Sequence, residues 1–286
     1  MSGEAKFGSW EEAVEWLRRH PEKGDLVKDA YYDDPLLAAA DRYYHSEEWQ
    51  AIRKYLGPRK GAALDIGAGR GIASYSLAKE GYCVTALEPD SSVLVGSGAI
   101  RSLAADGGLA INVVEDFSES LPFDDGEFEV VFARAVLHHT KDLEATCKEI
   151  SRVLKPGGRF IAVREHVITR PSDLQQFLAA HPLHQLYGGE AAFVLHNYLS
   201  AIRRAGMQVK HCLTPLGSPI NFAPRTLDEL RKELIARFCR GAMSRIIVNS
   251  LLSIPGAWTS AFWLLRLMDN RPGRLYSFVC EKPKDR

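Results

Sequence analysis

The sequence predicts an α/β fold: a Rossmann-like, doubly wound and mostly parallel sheet, with N-terminal helices before it and a C-terminal helical insertion before its last strand. Short apolar runs alternate with helical segments from residue 60 onward. The runs are nearly continuous in apolar residues, as strands buried on both faces of a parallel sheet are. A turn with three glycines, "GAGRG" at 67–71, separates the first run from the next helix. That is the sheet edge where such folds bind ligands.

The composition excludes several classes of protein. Hydrophobic residues make up 46% and charged residues 25% of the 286 positions, which is ordinary for a globular chain. Lysine plus arginine equals aspartate plus glutamate, at 36 each, so no net positive charge attracts nucleic acid, and we expect no nucleic-acid partner. The first twenty residues have no apolar core of signal-peptide length, so we expect a cytoplasmic protein. Five cysteines without a C-x-x-C pair indicate reduced thiols.

The predicted elements fall into three regions of one domain. Residues 1–58 form a helical preface, because apolar and aromatic residues recur there at helical spacing. Residues 59–166 alternate helices with the strands "AALDI", "YCVTALE", "AINVV", "FEVVFA" and "RFIAVRE", the last of them after a "KPGG" turn. Residues 167–286 supply two last strands, "MQVKHCL" and "LYSFVCEKP", and the capping box "TLDE" opens the helical insertion between them.

The glycine-rich turn follows Asp65 at the end of the first strand. One glycine would be explained by a tight turn alone, but three at alternate positions favour close approach of a ligand to the backbone. The dinucleotide fingerprint G-x-G-x-x-G needs a third glycine where Ile72 stands. A nicotinamide-dependent (NAD(P)) oxidoreductase is therefore disfavoured and kept as an alternative.

Four motifs in order carry a resemblance to a known family. "DIGAGRG" is followed by "VTALEPD", "VVEDFSESLPF", and finally "FEVVFARAVLHHT" with "ISRVLKPGGRFIAV". Over roughly residues 60–166 this series resembles the class I S-adenosylmethionine-dependent methyltransferases. The resemblance implies S-adenosyl-L-methionine as cofactor and methyl transfer by direct displacement. A non-catalytic relative that only binds the cofactor or a partner is a second alternative.

The resemblance also implies roles for particular residues. Glu88, twenty-one positions after Gly67, is expected to accept hydrogen bonds from the two ribose hydroxyls. Asp116 is expected to accept from the adenine amine, and the Phe117 backbone amide to donate to the adenine ring. The cofactor-binding residues predicted in this way are Asp65, Gly67, Ala68, Gly69, Gly71, Glu88, Pro89, Asp116, Phe117, Ala133, Arg134 and His138.

Catalytic candidates lie at the end of the fifth strand. Glu165 and His166 are expected to face the acceptor there, because they leave the strand at its carboxyl end. Either could act as a base, which is needed only when the acceptor keeps its proton. A surface charge cluster is the alternative. The nearest acids to His138 and His139 are not at a recognised ligand spacing, so we predict no metal there. The segment "HPLHQLYGGE" at 181–190 favours acceptor recognition over zinc binding.

The insertion contains an uncharged run from 246 to 265, split by a Pro-Gly pair, which predicts two short helices rather than a membrane span. Residues 241–270 are rich in large apolar side chains. They form a lid, core, an oligomer contact or a peripheral membrane patch, and the sequence does not choose among these. The acceptor is expected to be a small molecule, a glycan or a lipid-linked metabolite.

Overall fold

The computed structural model describes residues 6–58, 60–238, 248, 250, 252, 254 and 256–284. Four helices precede the sheet: α1 (Trp10–Arg18), α2 (Gly24–Asp29), α3 (Leu36–Tyr44) and α4 (Glu47–Arg53). Two of them begin where a serine satisfies free backbone amides. The Ser9 hydroxyl accepts from the Glu12 amide, and the Ser46 hydroxyl accepts from the Trp49 amide.

The sheet has seven strands in one path and an eighth beside it. The strands are β1 (Ala62–Ile66), β2 (Cys83–Leu87), β3 (Ile111–Val114), β4 (Phe128–Arg134), β5 (Leu154–Ile168), β6 (Phe193–Val194), β7 (Gln208–Leu213) and β8 (Arg274–Glu281). Their order is β3-β2-β1-β4-β5-β8-β7, with β6 paired to β5. β8 is antiparallel to both of its neighbours, and the other pairings are parallel. The predicted mostly parallel, doubly wound sheet is confirmed.

Helices cover both faces of the sheet. They are α5 (Ile72–Lys79), α6 (Ser97–Gly107), α7 (Leu143–Val153), α8 (Leu174–Ala180), α9 (Pro182–Leu186), α10 (Leu195–Arg204), α11 (Pro219–Phe222), α12 (Leu227–Phe238) and α13 (Ala257–Met268). On β1, Leu64 joins the apolar cluster that includes α7 and α10, whereas Ala63 joins the one that includes α3, α4 and α5. Successive residues of a strand point to opposite faces, so both faces of β1 are buried.

The fifth strand differs from its prediction at both ends. It begins at Leu154, so the "KPGG" segment lies within it, and it continues past Glu165 to Ile168. Its register against β8 shifts between Ala162 and Glu165, where Arg164 has a φ of 62°. Glu165 therefore lies inside a strand with a local irregularity, and this decides where its side chain points.

The predicted insertion before the last strand is present, with α12 and α13 between β7 and β8. Of the two short helices predicted in the run from 246 to 265, α13 covers the second. The first falls largely on 246, 247, 249, 251, 253 and 255, outside the described residues. In the part of the chain that the structure describes, no helix combines the length and apolar character needed to cross a bilayer.

Candidate active site

A cavity of about 700 Å³ opens beyond the carboxyl ends of β1, β2, β4 and β5. Residues 65–70 form its floor, and Trp10, Tyr31 and Tyr32 of the N-terminal region form a second wall. Segments 134–141 and 181–190 supply the remaining wall. The cavity therefore has the volume and position of a small-molecule site in an α/β fold.

The glycine turn has the backbone conformation that only glycine adopts without strain. Gly67, Gly69 and Gly71 have φ values of 61°, 54° and 80°. A Cβ added at Gly67 would lie 2.7 Å from the Val136 side chain, so this glycine lets two loops pack closely. A Cβ at Gly69 would meet nothing nearer than the Val95 carbonyl oxygen at 4.0 Å, so this position opens onto the cavity.

Two buried acids, Asp65 and Glu88, lie next to the glycine turn. Asp65 is buried, and its carboxylate accepts a hydrogen bond of 2.6 Å from the Ser74 hydroxyl. Burial raises the pKa of Asp65 to about 7. Glu88 follows β2, and its two oxygens accept from the amides of Gly69 at 2.7 Å and Asp90 at 3.0 Å. Burial also raises the pKa of Glu88.

Asp116 and Phe117 line the cavity beyond β3. The Phe117 amide donates to the Asp116 carboxylate at 2.8 Å, so the two groups expected at the adenine are bonded to each other. The Phe117 side chain is 62% exposed, which leaves its ring available as a flat apolar surface over the cavity.

Most of the predicted cofactor residues lie at the cavity wall. They are Asp65, Gly67, Ala68, Gly69, Glu88, Pro89, Asp116, Phe117, Arg134 and His138. The structure does not bring Gly71 and Ala133 there. Gly71 precedes α5 and faces Ile100, while Ala133 is fully buried between neighbouring strands of the sheet.

The expectation that Glu165 faces the acceptor needs correction. Its carboxylate is fully buried and does not line the cavity. One oxygen accepts from the amides of Val136 at 3.1 Å and Leu137 at 3.2 Å. The other accepts from the His138 amide at 3.1 Å and is 2.7 Å from His138 Nδ1. Glu165 is thus a positioning residue that holds the loop after β4.

His166 does line the cavity. Its Nδ1 lies 3.0 Å from the Gly273 carbonyl oxygen, and because a carbonyl only accepts, this nitrogen carries the proton. Burial and the nearby His138 lower the pKa of His166 to about 3, so the ring is neutral with a free lone pair on Nε2. Its role as a base stays a prediction.

Glu190 lies near histidines from two segments that are far apart in the sequence. His138 Nε2 lies 3.6 Å and His139 Nε2 3.7 Å from the same Glu190 oxygen, and His181 Nδ1 lies 3.9 Å from the other. Burial lowers the pKa of His138, but Glu165 and Glu190 outweigh it and raise the pKa to about 9. The sequence singled out each of these histidines but gave no signal that Glu190 is their common neighbour.

Three arginines line the cavity, and sequence reasoning assigned a role only to Arg134. Arg134 donates to Glu48 of α4 at 2.8 and 3.2 Å, and Arg164 reaches the same carboxylate at 3.8 Å. Arg70 donates to the carbonyl oxygens of Tyr31 at 2.8 Å and Asp33 at 3.0 Å. These contacts tie the N-terminal helices to the sheet, and no local motif marks them.

Comparisons with known proteins agree with this geometry. Residues 64–162 match the family model described as a methyltransferase domain. The sarcosine/dimethylglycine N-methyltransferase of Halorhodospira halochloris is 35% identical over 142 residues, covering 48% of this chain and 49% of that protein. The demethylmenaquinone methyltransferase of Chlorobaculum tepidum is 35% identical over 125 residues, covering 43% and 49%. The chain spans about half the length of these curated relatives.

Solved structures share the fold over most of the chain. The YcgJ protein of Bacillus subtilis superposes with a TM-score of 0.55 at 18% identity, covering 84% of this chain and 99% of that one. The geranyl diphosphate C-methyltransferase of Streptomyces coelicolor A3(2) gives a TM-score of 0.58 at 16% identity, covering 88% and 87%.

The sheet order and the glycine turn agree with the domain matched at residues 64–162, and together they support a class I S-adenosylmethionine-dependent methyltransferase domain there. The relatives described above give no support to a nicotinamide-dependent oxidoreductase.

Proposed function

We propose that the chain transfers a methyl group from S-adenosyl-L-methionine to a small-molecule acceptor by direct displacement. The observation that carries the proposal is the open backbone at Gly69, beside the Glu88 carboxylate and at the edge of the cavity. A side chain at position 69 would fill the space that opens there, as expected where a ligand approaches the backbone. The residues present therefore fit the cofactor that the class implies.

The chain's own groups suggest how the cofactor is held. Each Glu88 oxygen accepts one backbone amide and has a further lone pair for a ribose hydroxyl. Asp116 and Phe117 lie where the adenine is expected, and the exposed Phe117 ring offers it an apolar surface. When bound, S-adenosylmethionine supplies a methyl group activated by its positively charged sulfur.

Positioning is the main contribution that we assign to the protein. Glu165 fixes the backbone of 136–138 through three amides, and the loop closes one side of the cavity. Trp10 and Tyr31 line the opposite side. Holding two reactants in line in such a pocket removes much of the entropic barrier to a displacement.

The relatives support a small acceptor. They are a sarcosine/dimethylglycine N-methyltransferase, a demethylmenaquinone methyltransferase and a geranyl diphosphate C-methyltransferase, and each of these names specifies a small-molecule acceptor. The cavity of about 700 Å³ accommodates a cofactor and a small acceptor better than a macromolecular one. We include lipid-linked acceptors and glycans in the proposal, together with a peripheral membrane contact through 241–270.

The proposal is tested by ligand-induced stabilisation followed by product analysis. S-adenosylmethionine, but not NAD, should raise the melting temperature, because a ligand that binds only the folded state stabilises it. With a methyl-labelled cofactor and a metabolite extract, label should appear in a small molecule. Stabilisation by NAD alone would contradict the proposal, and cofactor binding without any labelled product would favour the non-catalytic alternative.

A further inference from the structure

Four histidines and one glutamate converge on one wall of the cavity. His138 and His139 approach Glu190 through Nε2, at 3.6 and 3.7 Å from one carboxylate oxygen. His166 and His181 lie on the other side of the same glutamate, with their ring centroids 5.1 Å apart. In each group of two histidines and Glu190, the possible ligand atoms all lie within 4.8 Å of one another.

The Glu190 oxygen that faces His138 and His139 has no hydrogen-bond partner and is buried. In the described residues, its carboxylate has only histidines as partners within 4.0 Å, with no lysine or arginine among them. A buried carboxylate oxygen without a donor is costly. Its environment therefore favours a positively charged partner.

In three of the histidines Nδ1 lies beside a hydrogen-bond acceptor, as the nitrogen that does not ligate the ion commonly does in metal sites. His138 Nδ1 lies 2.7 Å from the Glu165 carboxylate, and His139 Nδ1 lies 3.0 Å from the Gly189 carbonyl oxygen. His166 Nδ1 is 3.0 Å from the Gly273 carbonyl oxygen. In a neutral imidazole, a partner that only accepts places the proton on Nδ1 and frees the Nε2 lone pair, the arrangement usual for histidines that ligate metals.

Protonation of a histidine explains the contacts with Glu190 for one ring only. A positively charged His138 between Glu165 and Glu190 would account for that ring's two contacts. It would not account for His139, which turns its Nε2 toward the same oxygen although 41% of its side chain is exposed to solvent. A cation between the two rings and the carboxylate accounts for both.

We propose that this cluster binds one divalent transition-metal ion, with a Glu190 oxygen and the Nε2 atoms of His138 and His139 as ligands and with His166 and His181 beside them. Two imidazoles and one carboxylate suit zinc or ferrous iron, whereas magnesium and calcium prefer oxygen ligands. Ligand atoms about 2.0–2.2 Å from a tetrahedral ion are about 3.3–3.6 Å apart. The separations of 3.6 and 3.7 Å are close to this, so the site is nearly preformed.

Three protein ligands leave coordination positions open, as in catalytic zinc sites. His138, His139 and Glu190 all line the cavity, so these positions face the space for the acceptor. An oxygen or nitrogen donor of the acceptor would bind there and be polarised by the ion. This last step rests on the proposed methyl transfer, whereas binding of the ion does not.

The test is metal binding by the full chain after treatment with a chelator. Calorimetric titration with Zn²⁺ should give one ion per chain, and Co²⁺ should develop visible absorption bands. Glu190→Gln and His138→Ala should each weaken binding by at least about tenfold, and Glu165→Gln, which acts through His138, by about 10–100-fold. His196→Ala is the matched control, because His196 is an exposed histidine of α10, and its affinity should equal that of the wild type.

Two results would overturn the inference. The first is that the wild type binds Zn²⁺ no more tightly than His196→Ala carrying Glu190→Gln. The second is that Glu190→Gln keeps the wild-type affinity for Zn²⁺. Circular dichroism shows whether each variant folds, and His139→Ala, at a half-exposed position, provides a second variant if His138→Ala does not. S-adenosylmethionine binding, measured on the same samples, separates this inference from the proposed function. Metal binding without cofactor binding would leave the site standing and refute the methyl transfer.

Discussion

The carboxylate of Glu88 accepts a hydrogen bond of 2.7 Å from the backbone amide of Gly69, across the turn that joins β1 to α5. One acid thus shapes the glycine turn and presents its remaining lone pairs to the cavity. We expect Glu88→Ala to weaken S-adenosylmethionine binding by about 1.5–3 kcal/mol, the range for hydrogen bonds to a charged group. Isothermal titration calorimetry measures the change directly.

Glu115→Ala is the control for this variant. Glu115 follows β3 as Glu88 follows β2, but it bonds to Ser97 and Arg101 and does not line the cavity. Its replacement should leave cofactor affinity unchanged. Equal affinity in Glu88→Ala and Glu115→Ala would remove Glu88 from the cofactor site.

Gly69→Val should abolish cofactor binding while the protein still folds. The added side chain would extend from an open position into the cavity. Gly108→Val is matched to it, because Gly108 also has a positive φ, 61°, and free space around its α-carbon, yet lies at the end of α6. Both variants carry similar backbone strain, so binding lost only in Gly69→Val identifies occlusion of the site. A folded Gly69→Val protein with normal cofactor affinity would exclude the turn from the cofactor site.

Glu165→Ala should lower stability more than it lowers turnover of the remaining folded enzyme. The variant leaves three backbone amides of 136–138 and a buried histidine without their acceptor. We expect a loss of about 3–5 kcal/mol in the free energy of unfolding, as for removal of one partner of a buried ion pair. Urea denaturation measures it.

Glu144→Ala is the comparison, since Glu144 pairs with Arg204 at the surface and should contribute under about 1 kcal/mol. If Glu165→Ala were as stable as Glu144→Ala and only turnover fell, Glu165 would act in chemistry after all.

Asp65 should give the stability of the protein a distinct pH dependence. Burial raises its pKa from 3.8 to about 7, so the folded state holds a proton that the unfolded chain releases. Between pH 4 and 7 the free energy of unfolding therefore falls as pH rises, by up to about 1.4 kcal/mol per pH unit for one proton. In Asp65→Asn this contribution is absent, and the slope against pH becomes less negative.

Urea denaturation at several pH values measures that slope, with Asp106→Asn as the control because Asp106 is exposed on α6. Identical slopes in the wild type and in Asp65→Asn would contradict the burial argument.

The two tryptophans of α13 should respond differently to substitution. The Trp258 ring lies 5.4 Å from the Phe262 ring, and the Arg231 guanidinium of α12 lies 5.1 Å from its centroid, so Trp258→Ser should destabilise the helix pair. Trp263 is 60% exposed, so Trp263→Ser should keep the fold and weaken binding to phosphatidylcholine vesicles in a sedimentation assay.

Met243, Ile246, Ile247 and Leu251, also part of the predicted patch, lie outside the described residues. A stable Trp263→Ser protein with unchanged vesicle binding and full activity would rule out a membrane role for this ring and favour an oligomer contact.

The sequence predicted what local patterns determine. Apolar runs and turns set the strands, and the glycine turn with Asp65 and Glu88 is a continuous motif whose backbone defines the site. The direction of Glu165 depended on a register shift in β5 that no pattern of residues marks. Glu190 and His138 meet across 52 positions, so their contact follows from tertiary packing of the segment 181–190 against the loop after β4 rather than from any spacing.

Arg70 connects the glycine turn to the N-terminal segment. Its backbone belongs to the floor of the cavity, while its guanidinium holds the Tyr31 and Asp33 carbonyl oxygens and the Asp34 carboxylate of the covering N-terminal segment. The residue that follows the open glycine thus also anchors the N-terminal wall of the cavity. A change that displaces this turn is therefore expected to move both the floor of the cavity and the wall that contains Tyr31.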